Sequence, residues 1–143
     1  MRHLIERVLE LSDEEIVPQL DPQPNGQGTD EELRALLESL QPRIRVYGVG
    51  GAGCNAVGRL DAEGLFENSF VTGYAINTDA QALLMSPLEH KVLIGRTARG
   101  RGAGGDPTKG EAAALESEMA LRGITTDTQL AIIAAGMGGG SGT

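Results

Sequence analysis

The sequence predicts an α/β fold, three layers in which helices cover both faces of a parallel sheet of strand order 3-2-1-4, with a helical extension in front. Three observations predict it. From residue 43 onward, four short aliphatic runs alternate with helix-patterned segments, and such alternation implies parallel strands joined by crossovers. A glycine-rich loop, Gly48-Val49-Gly50-Gly51-Ala52-Gly53-Cys54-Asn55, follows the first run, and a second, Gly136-Met137-Gly138-Gly139-Gly140-Ser141-Gly142-Thr143, follows the last. In the order 3-2-1-4 those two strands are neighbours at the point where the winding reverses, where open α/β sheets bind their ligands.

Charge divides the chain in two. Residues 1–42 hold ten acids and three bases, a net of −7, whereas residues 43–143 hold ten acids and nine bases, a net of −1. The boundaries are therefore set at an acidic N-terminal extension, 1–42, and a nucleotide-binding domain, 43–143. The domain is expected to be incomplete, because the chain ends inside its last glycine loop, as the front part of a longer protein would. Neither part offers the basic face that phosphate neutralisation demands, so no nucleic-acid partner is expected. Cys54 is the single cysteine, which excludes an intrachain disulfide. Glu6 and Arg7 interrupt the start too early for a signal peptide, and no apolar run approaches the ~20 residues of a membrane span. The expected compartment is the cytoplasm.

In chain order, Leu4, Ile5, Val8 and Leu9 predict a short helix over 2–11, and the three prolines and two glycines of 17–28 mark a linker. Thr29 with Glu32 three residues later forms a capping box ahead of a leucine stripe, Leu33, Leu36, Leu37 and Leu40, and Pro42 ends that helix. Strands are expected at Ile44–Val49, Val71–Asn77, Lys91–Ile94 and Gln129–Ala135. Helices are expected at 52–63, with Gly64 as its left-handed cap, at Ala80–Met85, and at 107–121, with Gly123 as cap. Asp106-Pro107 is a strong helix start.

Taken alone, Gly48-x-Gly50-x-x-Gly53 matches the Rossmann dinucleotide fingerprint and raises an NAD(P)-binding oxidoreductase as an alternative. That reading needs an acid at the end of the second strand, where Asn77 stands, and has no use for a second glycine loop. No P-loop motif occurs, so an anion here is held without the P-loop lysine. Main-chain N–H groups and helix N-termini suffice for that. Asp79 can serve as an N-cap for the helix from Ala80, as a metal ligand through water, or as both. Cys54 reads as a small, inert loop residue, and Arg96, Arg99 and Arg101 as solvated side chains of a loop. His3 and His90 have no Cys or His cluster near them, so no zinc site is expected.

Four segments carry a family resemblance. GVGGAGCNAV (48–57), NTDAQAL (77–83), GAGGDP (102–107) and GMGGGSGT (136–143) stand in the order and at the spacing of FtsZ, the tubulin-like cell-division GTPase, and the acidic front extension resembles archaeal members. The match covers about residues 43–143. It implies a Rossmann-like GTPase domain of the tubulin/FtsZ type that binds GTP or GDP with Mg²⁺. It implies that Gly50, Gly51, Ala52, Gly53, Cys54 and Asn55 wrap the phosphates from one side and Gly138, Gly139, Gly140, Ser141, Gly142 and Thr143 from the other. By the same resemblance the loop Asn77-Thr78-Asp79-Ala80 approaches the phosphate and its metal, and the loop Gly102-Ala103-Gly104-Gly105-Asp106 senses the γ-phosphate.

The resemblance further implies head-to-tail self-association into cytoplasmic filaments for septation, with membrane contact only through adaptor proteins. Ser141 stands where threonine is more usual, which keeps the hydroxyl. The guanine-reading helix and the water-activating acids of such proteins lie outside the matched segment, so no catalytic residue is assigned here. A non-catalytic module of the same fold is the remaining alternative.

Overall fold

The computed structural model describes residues 29–67 and 70–143. The helix expected over 2–11 and the linker at 17–28 lie outside the described residues. Contacts divide the chain into two units, Met1–Ser39 and Leu40–Thr143.

In the first unit, helix α1 (Asp30–Leu40) begins as the sequence predicts. The Glu32 carboxylate accepts from the Thr29 N–H at 3.0 Å, and the Thr29 hydroxyl accepts from the Glu32 N–H at 3.3 Å. The reciprocal pair satisfies two otherwise orphaned donors, a contribution of about 1 kcal/mol. Leu33, Leu37 and Leu40 are exposed.

The second unit is built on β1 (Ile44–Val49), β2 (Val71–Asn77), β3 (His90–Leu93) and β4 (Leu130–Ala135). All pairings are parallel, in the predicted order β3-β2-β1-β4. Ile44 stands opposite both Val71 and Leu130, and Val49 opposite both Ile76 and Ala135. The carboxyl ends of β1, β2 and β4 are therefore level, and the loops that follow them start from one rim.

Period-two alternation sends each strand's side chains to two cores. On one face Val46, Val71 and Ala75 pack with Cys54 and Val57 of α2 (Gly50–Ala62) and with Leu83 of α3 (Ala80–Met85). On the other, Tyr47 and Ile76 pack with Ile94 and with Ala113 of α4 (Pro107–Glu116), flanked by Leu121 and Ile124 of α5 (Glu118–Thr125). Three layers result, as the alternation predicts.

Four elements differ from expectation: β3 runs His90–Leu93 rather than Lys91–Ile94, β4 begins at Leu130 rather than Gln129, and two helices depart further. Helix α2 starts at Gly50 rather than Ala52, because Gly50 takes a φ of +72° and turns the chain from strand into helix without an intervening loop. The single helix expected over 107–121 is two, meeting at Ser117. There the serine hydroxyl accepts the Gly95 N–H at 3.0 Å, and its backbone leaves helical geometry at φ −103°, ψ 15°. Gly123 lies inside α5 and caps nothing. The last carbonyls are bound instead by the Thr125 and Thr126 hydroxyls, both donating to the Arg122 carbonyl. Gly64, by contrast, takes φ +80° just beyond α2 as expected.

Candidate functional site

The rim after β1, β2 and β4 is where the predicted residues meet. A side chain at Gly50 would place its Cβ 3.1 Å from the Gly142 nitrogen, and one at Gly136 would stand 2.7 Å from the Ala52 Cβ. The two glycine loops are thus in direct contact, a closeness that needs the missing Cβ and, at Gly50, a positive φ. The third loop joins them: a Cβ at Gly140 would lie 2.8 Å from the Ala103 Cβ and 3.1 Å from the Asp106 nitrogen. The turn after β2 closes the ring, with the Thr78 and Ser141 hydroxyls 2.6 Å apart. Four segments far apart in sequence make one cradle.

Each helix start in the second unit that borders this rim treats its free N–H groups differently. At α3, Asp79 Oδ1 accepts from the Gln81 and Ala82 N–H groups at 2.9 and 3.0 Å. At α4, Asp106 Oδ1 accepts from the Thr108 N–H at 3.0 Å and from its hydroxyl at 2.6 Å. These bonds, the hydroxyl first, hold the Asp106 carboxyl below the usual carboxylate range. Helix α2 has Val49 at its N-cap and no side-chain cap bond. Its first-turn donors, Gly51 and Ala52 among them, remain for a ligand, and the helix dipole favours an anion there. No Cβ contact would exist within 4 Å of Gly51, Gly104, Gly105 or Gly138, so these backbones border open space.

The loop after β4 spends some donors on itself. The Thr143 hydroxyl accepts from the Gly138 N–H at 2.8 Å, Ser141 N–H donates to the Gly139 carbonyl, and Thr143 N–H to the Gly140 carbonyl. The Gly139, Gly140 and Gly142 N–H groups have no backbone acceptor among the described residues, and neither do those of Gly104 and Gly105. Such concentrations of unpaired amides form an anion-binding concavity.

Among the predicted residues, some support rather than face the cradle. Asn77 is buried, and its Oδ1 accepts the Thr78 and Asp79 N–H groups at 2.8 and 3.3 Å, which shapes the turn. The Cys54 thiol points into the core, donating toward the Gly48 and Ile76 carbonyls at 3.3 and 3.5 Å. Burial pushes its pKa up, and the residue lies inside α2 rather than in a loop. Gly53 is buried against the Ala134 carbonyl. Asn55 and Ala80 are exposed at the starts of α2 and α3.

One predicted loop residue has a different role from the one expected, and one contributor was not predicted at all. Thr78 is 2% exposed and ties two loops together. Gly110 lies inside α4, where a Cβ would run into the Gly140 carbonyl, so the helix sits directly on the last glycine loop.

Comparison with known proteins agrees with this geometry. Residues 43–143 match the model of the Tubulin/FtsZ family, GTPase domain. A relative, cell division protein FtsZ 1 of Pyrococcus abyssi, is 44% identical over 145 residues, covering 100% of this chain and 38% of its own length. The FtsZ 1 of Methanocaldococcus jannaschii is 44% identical over 115 residues, covering 80% of this chain and 31% of its own. Among solved structures, an empty FtsZ dimer from M. jannaschii superposes with a TM-score of 0.69 at 40% identity, covering 86% of this chain and 34% of that one. A protofilament of CetZ2 from Haloferax volcanii superposes at 0.58 and 29% identity, covering 70% and 32%. The chain thus spans about a third of the length of such relatives, and its own residues 43–143 place it in the tubulin/FtsZ family.

Proposed function

We propose that this chain is the phosphate-gripping part of a cell-division GTPase, binding GTP or GDP through main-chain amides. One observation carries the reading: among the described residues, the one uncapped helix start at the rim, that of α2, faces the Gly136–Thr143 loop at the Gly50–Gly142 contact. In this reading Gly51, Ala52, Gly139, Gly140 and Gly142 hold the α- and β-phosphates, and Gly104 and Gly105 meet the γ-phosphate. Asn77 shapes the turn that presents Asp79 and Ala80. Ser141, Thr143 and Thr78 keep the last loop folded. Family membership supports this over the NAD(P)-dependent oxidoreductase, as does Asn77 in place of the ribose-binding acid.

The residues present fit a magnesium nucleotide. Mg²⁺ typically takes one or two carboxylates and completes its shell with phosphates and water. Asp79 offers one oxygen: Oδ1 serves the helix cap, while Oδ2 makes no hydrogen bond among the described residues. Mg²⁺ would screen charge on the transferred phosphoryl group. We assign no hydrolytic residue to the chain. In the whole protein that role falls to the neighbouring subunit in a head-to-tail cytoplasmic filament, a reading supported by the FtsZ dimer and the CetZ2 protofilament among its solved relatives. Among the described residues no helix is long and apolar enough to cross a membrane.

The test is a paired titration of the chain with fluorescent GTP and with NADH, with and without Mg²⁺. Saturable GTP binding that strengthens with Mg²⁺ is expected, and tighter binding of NADH would reject the proposal. Light scattering by the gene's full product on GTP addition tests assembly.

A further inference from the structure

The segment Gly95–Gly105 arches over a cavity of ≈ 260 Å³ bounded by Thr78, Gly102 and Ala103 on the cradle side and by Ala112 and Ala113 of α4 below. Within it Gly95 and Ala103 are buried, and the residues between them are exposed or half-buried. Its far end is tied to the turn after β2: the Gly102 N–H donates to the Thr78 carbonyl at 3.1 Å, and the Ala80 N–H donates to the Gly100 carbonyl at 3.1 Å. Its near end is tied to the elbow between α4 and α5. There the Glu116 carboxylate takes two bonds from one residue, the Thr97 N–H on Oε1 at 3.1 Å and the Thr97 hydroxyl on Oε2 at 2.6 Å. Next to it, the Ser117 hydroxyl accepts the Gly95 N–H at 3.0 Å. Gly95 itself sits so close to α4 that a Cβ would collide with Ala113.

Neither acceptor belongs to the glycine motifs, and neither is needed to close a core. Glu116 and Thr97 are exposed, so their bidentate contact adds little to global stability. Its effect is local and directional. Two charge-assisted bonds on one residue fix an orientation as well as a distance. Helix α4 meanwhile carries Asp106 at its start and rests on Gly140 through Gly110. One rigid helix thus connects the last glycine loop, at its N-terminal half, with the base of the arch, at its C-terminal end.

We propose that Glu116 and Ser117 are positioning residues for the γ-phosphate contact: through Thr97 and Gly95 they fix the base of the arch, and so set where Gly104 and Gly105 stand. The assignment rests on the phosphate reading given above. It makes the arch's grip on a terminal phosphate, and not binding of the remaining nucleotide, depend on two side chains outside the cradle.

Hydrogen exchange and nucleotide titration on the 143-residue chain test this together, using Glu116→Ala, Glu116→Gln and Ser117→Ala. In Glu116→Ala, the amide of Thr97 and its neighbours to Gly102 exchange at least tenfold faster, while those of β1 and β2 are unchanged. Affinity for fluorescent GTP falls several-fold and that for GDP is retained. Glu116→Gln, which still offers an acceptor to the Thr97 N–H, recovers most of both effects. Unchanged exchange over 96–102, or equal losses for GTP and GDP, would overturn the positioning role. Binding of neither nucleotide by the unsubstituted chain would overturn the phosphate reading instead, and the positioning role with it, a failure recognisable because it precedes any substitution.

Discussion

The Thr78 hydroxyl stands 2.6 Å from the Ser141 hydroxyl, joining the turn after β2 to the glycine loop after β4. Thr78 is 2% exposed, so its partner is protein and not bulk water. Serine at 141 and threonine at 78 together supply one donor and one acceptor, and each keeps the other's loop in place.

Thr78→Val keeps the side-chain shape and removes the hydroxyl. Losing such a bond inside the protein costs about 1 kcal/mol. The expected result is an unfolding free energy lower by that amount in urea denaturation, with weaker fluorescent-GTP binding. Ser141→Thr retains the hydroxyl and is expected to stay within about 0.5 kcal/mol of the unsubstituted chain.

Two glycines in helices respond oppositely to the same change. Alanine is favoured over glycine by about 1 kcal/mol in a helix interior. At Gly123 nothing lies within 4 Å of the new Cβ, so Gly123→Ala stabilises. At Gly110 the Cβ runs into the Gly140 carbonyl, so Gly110→Ala destabilises and displaces the last glycine loop. Thermal melts of the two variants check the signs; a gain in both would mean that α4 does not rest on that loop.

Acid acts on the α4 cap. Asp106 is held below the ordinary carboxylate range by the Thr108 hydroxyl and N–H. A depressed folded value means that its contribution is present above the unfolded value and disappears as pH falls through the folded one. The stability difference between the unsubstituted chain and Asp106→Ala is therefore expected near neutrality and vanishes on strong acidification. Denaturation midpoints across that range provide the check.

Strand β4 is an edge of the described sheet, and Leu130, Ile132 and Ile133 are exposed along it. Exposed apolar edges template pairing between chains. Concentration-dependent association of the 143-residue chain is expected by light scattering. Ile133→Lys, at a side chain 68% exposed, is expected to reduce it without changing the melting of the sheet.

Much of this was legible in the residues. Strand order followed from alternation plus two glycine loops, and Val71–Asn77 and Ala80–Met85 matched residue for residue because each is bounded by turn chemistry that local sequence encodes. The misses have tertiary causes. The elbow at Ser117 depends on an acceptor needed by Gly95, 22 residues earlier, and no local propensity reports that. Gly123 looked like a cap because threonine hydroxyls binding backward carbonyls leave no periodic trace. At the site, the glycine loops announced themselves, whereas Thr78, Gly110 and Glu116 act through partners that only folding brings near.

A last consequence follows from the bare start of α2. A receptor assembled from peptide groups has nothing to titrate, oxidise or delete, so no truncation of a single side chain there disarms it. Its donors therefore keep one protonation state across the pH range in which the protein remains folded. Only substitutions that reroute the main chain, as at Gly50 with its φ of +72°, can switch it off.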